Sequence, residues 1–244
     1  MPTRRTELVL LRDARAVATL ACSEIVRCAQ VALAERGEFH VALSGGTTPR
    51  AVYERIARAS WLTDFARWHV WFGDERCVPP DHEVSNFRMA SEALLAHIAI
   101  APDHVHRMRG EARDLDAAAA DYERELRTVF AAREPRFDLV LLGLGADAHT
   151  ASLFPGSPAL DERSRLVVAN RVDKLASTRI TLTLPAINAA RRALFLVVGP
   201  DKAEALNSVL SLEVPTPALP ASLVELREGA TTWIVDRGAM SKIG

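Results

Sequence analysis

Two periods of hydrophobic patterning alternate along this chain. Short apolar runs bounded by charged or turn residues stand at 39–43, 68–73, 139–142 and 193–199, the pattern of strands covered on both faces. Between them apolar positions recur at helical spacing. Val17, Leu20, Ala21, Ile25, Cys28, Ala29 and Ala32 share one side of a helix predicted over 13–35, which Gly37 ends. Thr48 is the predicted N-cap, and Pro49 suits the first position, of a helix over 50–59. Ser85 and Asn86 open another, packed through Phe87, Met89, Ala90, Ala93 and Leu94. The Ala-rich stretch 114–133 reads as a helix whose mixed charges face solvent. Shorter helices are predicted at 185–190 and from 201 to 210, and further strands at 6–11, 165–169, 179–184 and 231–236. Strands alternating with helices in this way predict an α/β fold, an open, mostly parallel, doubly wound sheet with helices on both faces. No repeat or composition break divides the chain, and 213–220, with three prolines, is its one linker-like segment, so 1–244 reads as a single domain.

Composition narrows the function classes. With 244 residues, 49% of them hydrophobic, the chain can bury a full core; a net charge of −1 lacks the basic excess of a nucleic-acid or membrane binder. Cys22, Cys28 and Cys77 show neither disulfide nor zinc-finger spacing, which fits a reducing cytoplasm. Charges interrupt the apolar run of the N-terminal stretch, and no segment reaches the ~18 apolar residues of a membrane span, so a soluble, unprocessed protein is expected.

The chemistry concentrates in residues 137–156, FDLVLLGLGADAHTASLFPG, where a buried strand delivers Asp147 and His149 to its tip. Ser44-Gly45-Gly46-Thr47 joins a strand to a helix N-terminus, a backbone arrangement that favours an anion such as phosphate. Asp74-Glu75-Arg76 crowds three charges at another strand end, either as a solvated rim or as one wall of a site. Lys202 opposes a helix dipole, which makes sense facing a bound anion.

Two motifs mislead. Ala42-Leu43-Ser44-Gly45-Gly46 approximates a serine nucleophile elbow, but Asp147 and His149 come from one loop rather than two. Gly143-x-Gly145-x-x-Ala148 loosely matches a dinucleotide fingerprint, but Pro155 and Pro158 break the helix that motif needs, so no nicotinamide cofactor is expected. His104 and His106 lie two apart on one face of a predicted strand, with no third ligand at metal spacing; no metal is expected.

Leu43-Ser-Gly-Gly-Thr-Thr-Pro49, Trp71-Phe-Gly-Asp-Glu-Arg76, Val78-Pro-Pro-Asp-His82 with Ser85-Asn86, and the central GLGADAHTASLFPG closely resemble 6-phosphogluconolactonases. Arg179-Ile-Thr-Leu-Thr-Leu-Pro-Ala-Ile-Asn188 and Gly199-Pro-Asp-Lys202 extend the match, which runs in order from about 40 to 205. The resemblance implies a cytosolic pentose phosphate pathway enzyme that hydrolyses 6-phospho-D-glucono-1,5-lactone; no cofactor is expected, and a monomer or small homo-oligomer is the expected state. It also implies the three-layer fold shared with glucosamine-6-phosphate deaminases. It makes His149 the general base supported by Asp147, and sets Ser44, Gly45, Gly46, Thr47, Asp74, Arg76, Arg179 and Lys202 around the substrate and its phosphate.

One position departs from the family pattern, Ala148 in place of the usual Gly. A left-handed backbone there would cost ~1–2 kcal/mol. The rival readings are a sugar-phosphate isomerase or deaminase of the same fold and a non-catalytic sugar-phosphate sensor. The deaminase motif resembles Asn-Glu-Pro-Gly, whereas Leu153-Phe154-Pro155-Gly156 lacks the acid. A sensor needs an output module, and the residues before the glycine turn hold only a strand and one helix.

Overall fold

The structure, a computed structural model, describes residues 5–131 and 133–243; the first four residues of the N-terminal stretch lie outside them. In chain order its elements begin β1 (Arg5–Leu11), α1 (Ala14–Arg36), β2 (Phe39–Leu43), α2 (Thr47–Arg58), β3 (Trp68–Phe72), β4 (Asp74–Arg76), α3 (Asn86–Ala93) and α4 (Leu115–Val129). They continue with β5 (Leu139–Leu142), β6 (Val167–Val172), β7 (Ser177–Leu182), α5 (Leu184–Asn188), β8 (Arg192–Val197), α6 (Ala203–Leu210) and β9 (Ala230–Asp236).

Six strands form a wholly parallel sheet in the order β1-β9-β8-β5-β2-β3. Successive side chains of a strand point to opposite faces, so each apolar run feeds two cores. Val41, Leu43, Leu139 and Leu141 pack with α1, α2 and α3, whereas Ala42, Val140 and Leu142 pack with α4, α5 and α6. The result is the three-layer, doubly wound architecture expected. From β2 the chain winds outward to β3, and from β5 it winds the other way to β8 and β9. The β2/β5 boundary is therefore the topological switch point, where loops diverge and leave a crevice at the strand ends.

α1 shows how local signals set an element. Asp13 caps it by accepting from Ala16 N at 2.8 Å, and Gly37 ends it at φ 83, a left-handed conformation that costs glycine nothing. Its best 18-residue window, of mean hydropathy 1.4, is apolar enough to span a membrane, contrary to the reading of the sequence. Half of that window is buried in the fold, through Val17, Ala21, Ile25 and Ala29 among others.

Several expectations need correction. Gly46 at φ 111, not Thr48, precedes α2, whose first residue is Thr47, and no side chain caps it. Residues 104–106 are not a strand: a short 3-10 turn ends at His104, and Val105 makes one isolated bridge to Val70. Leu184 does not extend the strand at 179–182 but opens α5, because Pro185 has no N–H for a ladder. The charged helix is not wholly solvent-facing: buried Glu123 receives Arg127 and Arg165 at 2.8 and 2.7 Å. Most consequential, the chain leaves the main sheet at Gly73, and β4 joins β7 and β6 in a separate antiparallel sheet.

Candidate active site

The crevice at the switch point is a cleft of about 730 Å³ lined by the 44–49 turn, the 143–152 loop, β4, the β6–β7 hairpin and Lys202. Every site residue expected from the sequence, Ser44, Gly45, Gly46, Thr47, Asp74, Arg76, Asp147, His149, Arg179 and Lys202, lines it.

At the turn, the uncapped α2 start leaves first-turn N–H groups available to a ligand. Gly45 is required by close approach, since a Cβ there would strike the Asn86 side chain. Asn86 donates to the Asp74 carbonyl at 2.8 Å and to its carboxylate at 3.2 Å, and Ser152 Oγ bonds the other Asp74 oxygen at 2.6 Å. Asp74 is thus fixed at the base of the cleft. Glu75 points the other way, accepting from the N–H groups of Asn86 and Phe87 at 2.7 and 2.8 Å. The three charges at 74–76 therefore split: Asp74 and Arg76 face the cleft, and Glu75 anchors the start of α3.

Arg76 and Arg179 are direct partners across the β4–β7 ladder. Like charges placed opposite each other on a sheet are destabilising. Burial lowers the Arg179 pKa, and the neighbouring Arg76 lowers it further, so an anion between the two would relieve both. Arg76 is held by the Val84 carbonyl at 2.6 Å, and Lys202 lies 3.1 Å from Asp201.

The 143–152 loop carries Asp147 and His149. Asp147 Oδ1 lies 2.5 Å from His149 Nδ1 and also accepts the His149 N–H at 3.2 Å. A Cβ at Gly145 would strike the imidazole, so that glycine too is a matter of space. Ala148 does adopt the left-handed conformation, φ 60, with its methyl fully buried. Phe154 stacks on the imidazole with centroids 4.1 Å apart. Burial pushes the His149 pKa down to about 4; Asp74 opposes this, and Lys202 and Arg76 add to it. The carboxylate of Asp147, in bonding contact, also favours the imidazolium. At neutral pH the ring is an uncharged base with its proton on Nδ1 toward Asp147 and its lone pair on Nε2.

Sequence reasoning missed Lys174, Ser152, Asn86 and Phe154 as site residues. Lys174 pairs with Asp147 Oδ2 from the β6–β7 hairpin and sits 5.1 Å from the Phe154 ring centroid. An isolated lysine in a short turn carries no signal in the sequence. Ser44 Oγ is buried with no hydrogen-bond partner, so no base stands ready to activate it as a nucleophile. Burial raises the Cys77 thiol to about 11, which makes it a poor redox sensor.

A second polar cluster lies at the opposite end of the sheet, where His69 stacks between His40 and His104 and contacts His106 at 3.1 Å. Glu38, His40 and His69 bring possible ligand atoms within 4.8 Å of one another. Trp71 Nε1 donates to His40 Nδ1 at 3.2 Å, however, which leaves the neutral ring's proton on Nε2, facing Glu38. That tautomer belongs to a hydrogen-bonded core rather than to a metal ligand.

Residues 12–233 match the model of the family described as glucosamine-6-phosphate isomerases/6-phosphogluconolactonase. The chain belongs to this family. A Synechocystis protein named 6-phosphogluconolactonase is 43% identical over 211 residues, 85% of this chain and 86% of its own. The solved 6-phosphogluconolactonase from Trypanosoma cruzi superposes with a TM-score of 0.87 at 29% identity, over 98% of this chain and 97% of that one. A monomeric glucosamine-6-phosphate deaminase superposes at 0.82 with 20% identity, over 96% of this chain and 99% of that one, which shows the shared fold alone. Proteins named for two different activities thus share this sheet, and the residues in the cleft have to tell them apart.

Proposed function

We infer that this protein is a 6-phosphogluconolactonase, hydrolysing 6-phospho-D-glucono-1,5-lactone to 6-phospho-D-gluconate in the oxidative pentose phosphate pathway, with His149 as general base. The observation that carries the mechanism is His149 Nδ1 held 2.5 Å from Asp147 Oδ1, in a cleft whose walls carry Arg76, Arg179 and Lys202; burial, which lowers the His149 pKa, favours the neutral ring there. The phosphate is bound by those cations and the turn N–H groups, and its binding energy aims the lactone carbonyl at the base. His149 Nε2 takes a proton from water as the oxygen attacks C1, and Asp147 stabilises the imidazolium. The tetrahedral intermediate then collapses, the C1–ring oxygen bond breaks, and His149 returns its proton to the departing oxygen. No covalent intermediate is needed.

Phe154 favours this reading over the deaminase one, because an apolar ring lies against His149 where the deaminase motif carries its acid. We further read residues 1–244 as one domain, since both cores share the same sheet, and the protein as a cytoplasmic monomer or small homo-oligomer acting on a small phosphorylated sugar lactone. The test is lactone hydrolysis above the spontaneous rate. His149→Ala should lower kcat about 10²–10⁴-fold while Ser44→Ala stays active. Full activity in His149→Ala sinks the mechanism; a collapse in Ser44→Ala with a trapped acyl-enzyme replaces it with a serine nucleophile.

A further inference from the structure

The two Asp147 oxygens have different partners. Oδ1 takes His149 Nδ1, and Oδ2 takes the ammonium of Lys174. Lys174 reaches across from the β6–β7 hairpin, whose tight turn is completed by Ala176 in the left-handed conformation, φ 44. The same ammonium lies over the Phe154 ring, 5.1 Å from its centroid, and that ring stacks on the imidazole. Asp147 and Phe154, which both touch the imidazole, thus both meet one cation.

We propose that Lys174 is a positioning residue for the acid–base pair: it holds the outer oxygen of Asp147 so that the inner oxygen stays on His149 Nδ1, and it balances the carboxylate charge felt by the imidazole. The proposal rests on the reading of His149 as the base. Asp147 from its own loop touches His149, Asp74 and Arg76 from β4 and Lys202 from the segment after β8 act on it, and Arg179 from β7 and Lys174 from the hairpin line the same cleft. Without Lys174 the nearest of these, Asp147, acts uncompensated and favours the imidazolium. Lys174 is half exposed, so solvent screens its effect, and the expected rise in the His149 pKa is roughly half a unit.

The experiment is an NMR titration of the His149 imidazole, assigned by its loss in His149→Gln, in the wild type, Lys174→Met and Lys174→Arg, alongside lactonase pH profiles. Lys174→Met should raise the imidazole pKa and move the acid limb of kcat/KM the same way, lowering kcat several-fold with KM within about twofold; Lys174→Arg should restore both. An unmoved imidazole titration in Lys174→Met overturns the proposal. So does a raised KM at unchanged kcat, which would make Lys174 a substrate ligand instead. The titration needs no substrate, so an active His149→Gln together with a shifted titration upholds the ion-pair role and overturns the base assignment alone.

Discussion

The phenyl ring of Phe154 covers the imidazole of His149 at 4.1 Å between centroids, with the planes inclined by 26°. Burial is the main cause that holds His149 at about 4, and this ring supplies part of it. Phe154→Ala should let water reach the imidazole and move its pKa toward the ordinary 6.5. A higher pKa leaves less neutral base at mildly acid pH, so the acid limb of kcat/KM shifts upward, with activity at pH 8 within about tenfold of wild type. Superimposable profiles would refute this.

Arg76, Arg179 and Lys202 line one cleft, and two of them face each other across a ladder. Removing one should weaken phosphate binding chiefly, and losing Arg76 or Lys202 should also let the His149 pKa rise, because each cation holds it down. Arg76→Ala and Lys202→Ala should each raise KM for the lactone, and the inhibition constant of inorganic phosphate, roughly 10- to 100-fold, the worth of a hydrogen bond to a charged group. Equal losses in kcat with unchanged phosphate inhibition would remove the anion role.

Ala148 sets two terms of similar size against each other. Its φ of 60 costs about 1–2 kcal/mol, which glycine would recover. Its buried methyl contributes ~0.8 kcal/mol, and glycine would also gain freedom in the unfolded chain. Ala148→Gly should therefore change unfolding free energy by less than about 1 kcal/mol and leave activity intact, whereas Ala148→Val should cost more than about 2 kcal/mol. Urea titrations of both variants decide it.

Two members of the histidine cluster, His40 and His69, predict acid sensitivity. Burial lowers the pKa of His40, and lowers that of His69 to about 4, to which the neighbouring imidazoles add. Between 6.5 and 4 the unfolded chain binds protons that the folded one refuses, so stability is whole above the unfolded value and is lost as pH falls through this window. Partly buried His69 should account for on the order of 1 kcal/mol after screening. A shallower decline of the urea midpoint with pH in His69→Gln would bear this out; an unchanged slope would not.

The runs at 139–142 and 193–197 were legible because strands covered on both faces need unbroken apolar sequence, and the 44–47 turn and the Asp147/His149 loop because each is contiguous. The departure at Gly73 was not, because Asp74-Glu75-Arg76 carries no pattern that distinguishes a new sheet from the end of the old one. Nor were the Ser152–Asp74 bond, 78 residues apart in sequence, or the Lys174–Asp147 pair, 27 apart. Such contacts belong to the assembled fold, and an exposed lysine or buried serine looks the same in sequence with or without them. Likewise the four histidines come from three separate segments, and only His104 and His106 are near neighbours in the chain.

The departure at Gly73 gives the cleft a means of measuring length. Arg76 and Arg179 are fastened to the three-stranded sheet, while His149 hangs from the end of a strand in the six-stranded one. The two frameworks are stitched together where Leu182 N donates to the Gly73 carbonyl at 2.8 Å. Under the roles proposed for these residues, the backbone anchors of the phosphate-binding arginines and of the base sit on two different sheets, and the join between the sheets sets how far apart those anchors lie. A lactone with its phosphate one carbon nearer or farther would fit one end of this gauge and miss the other.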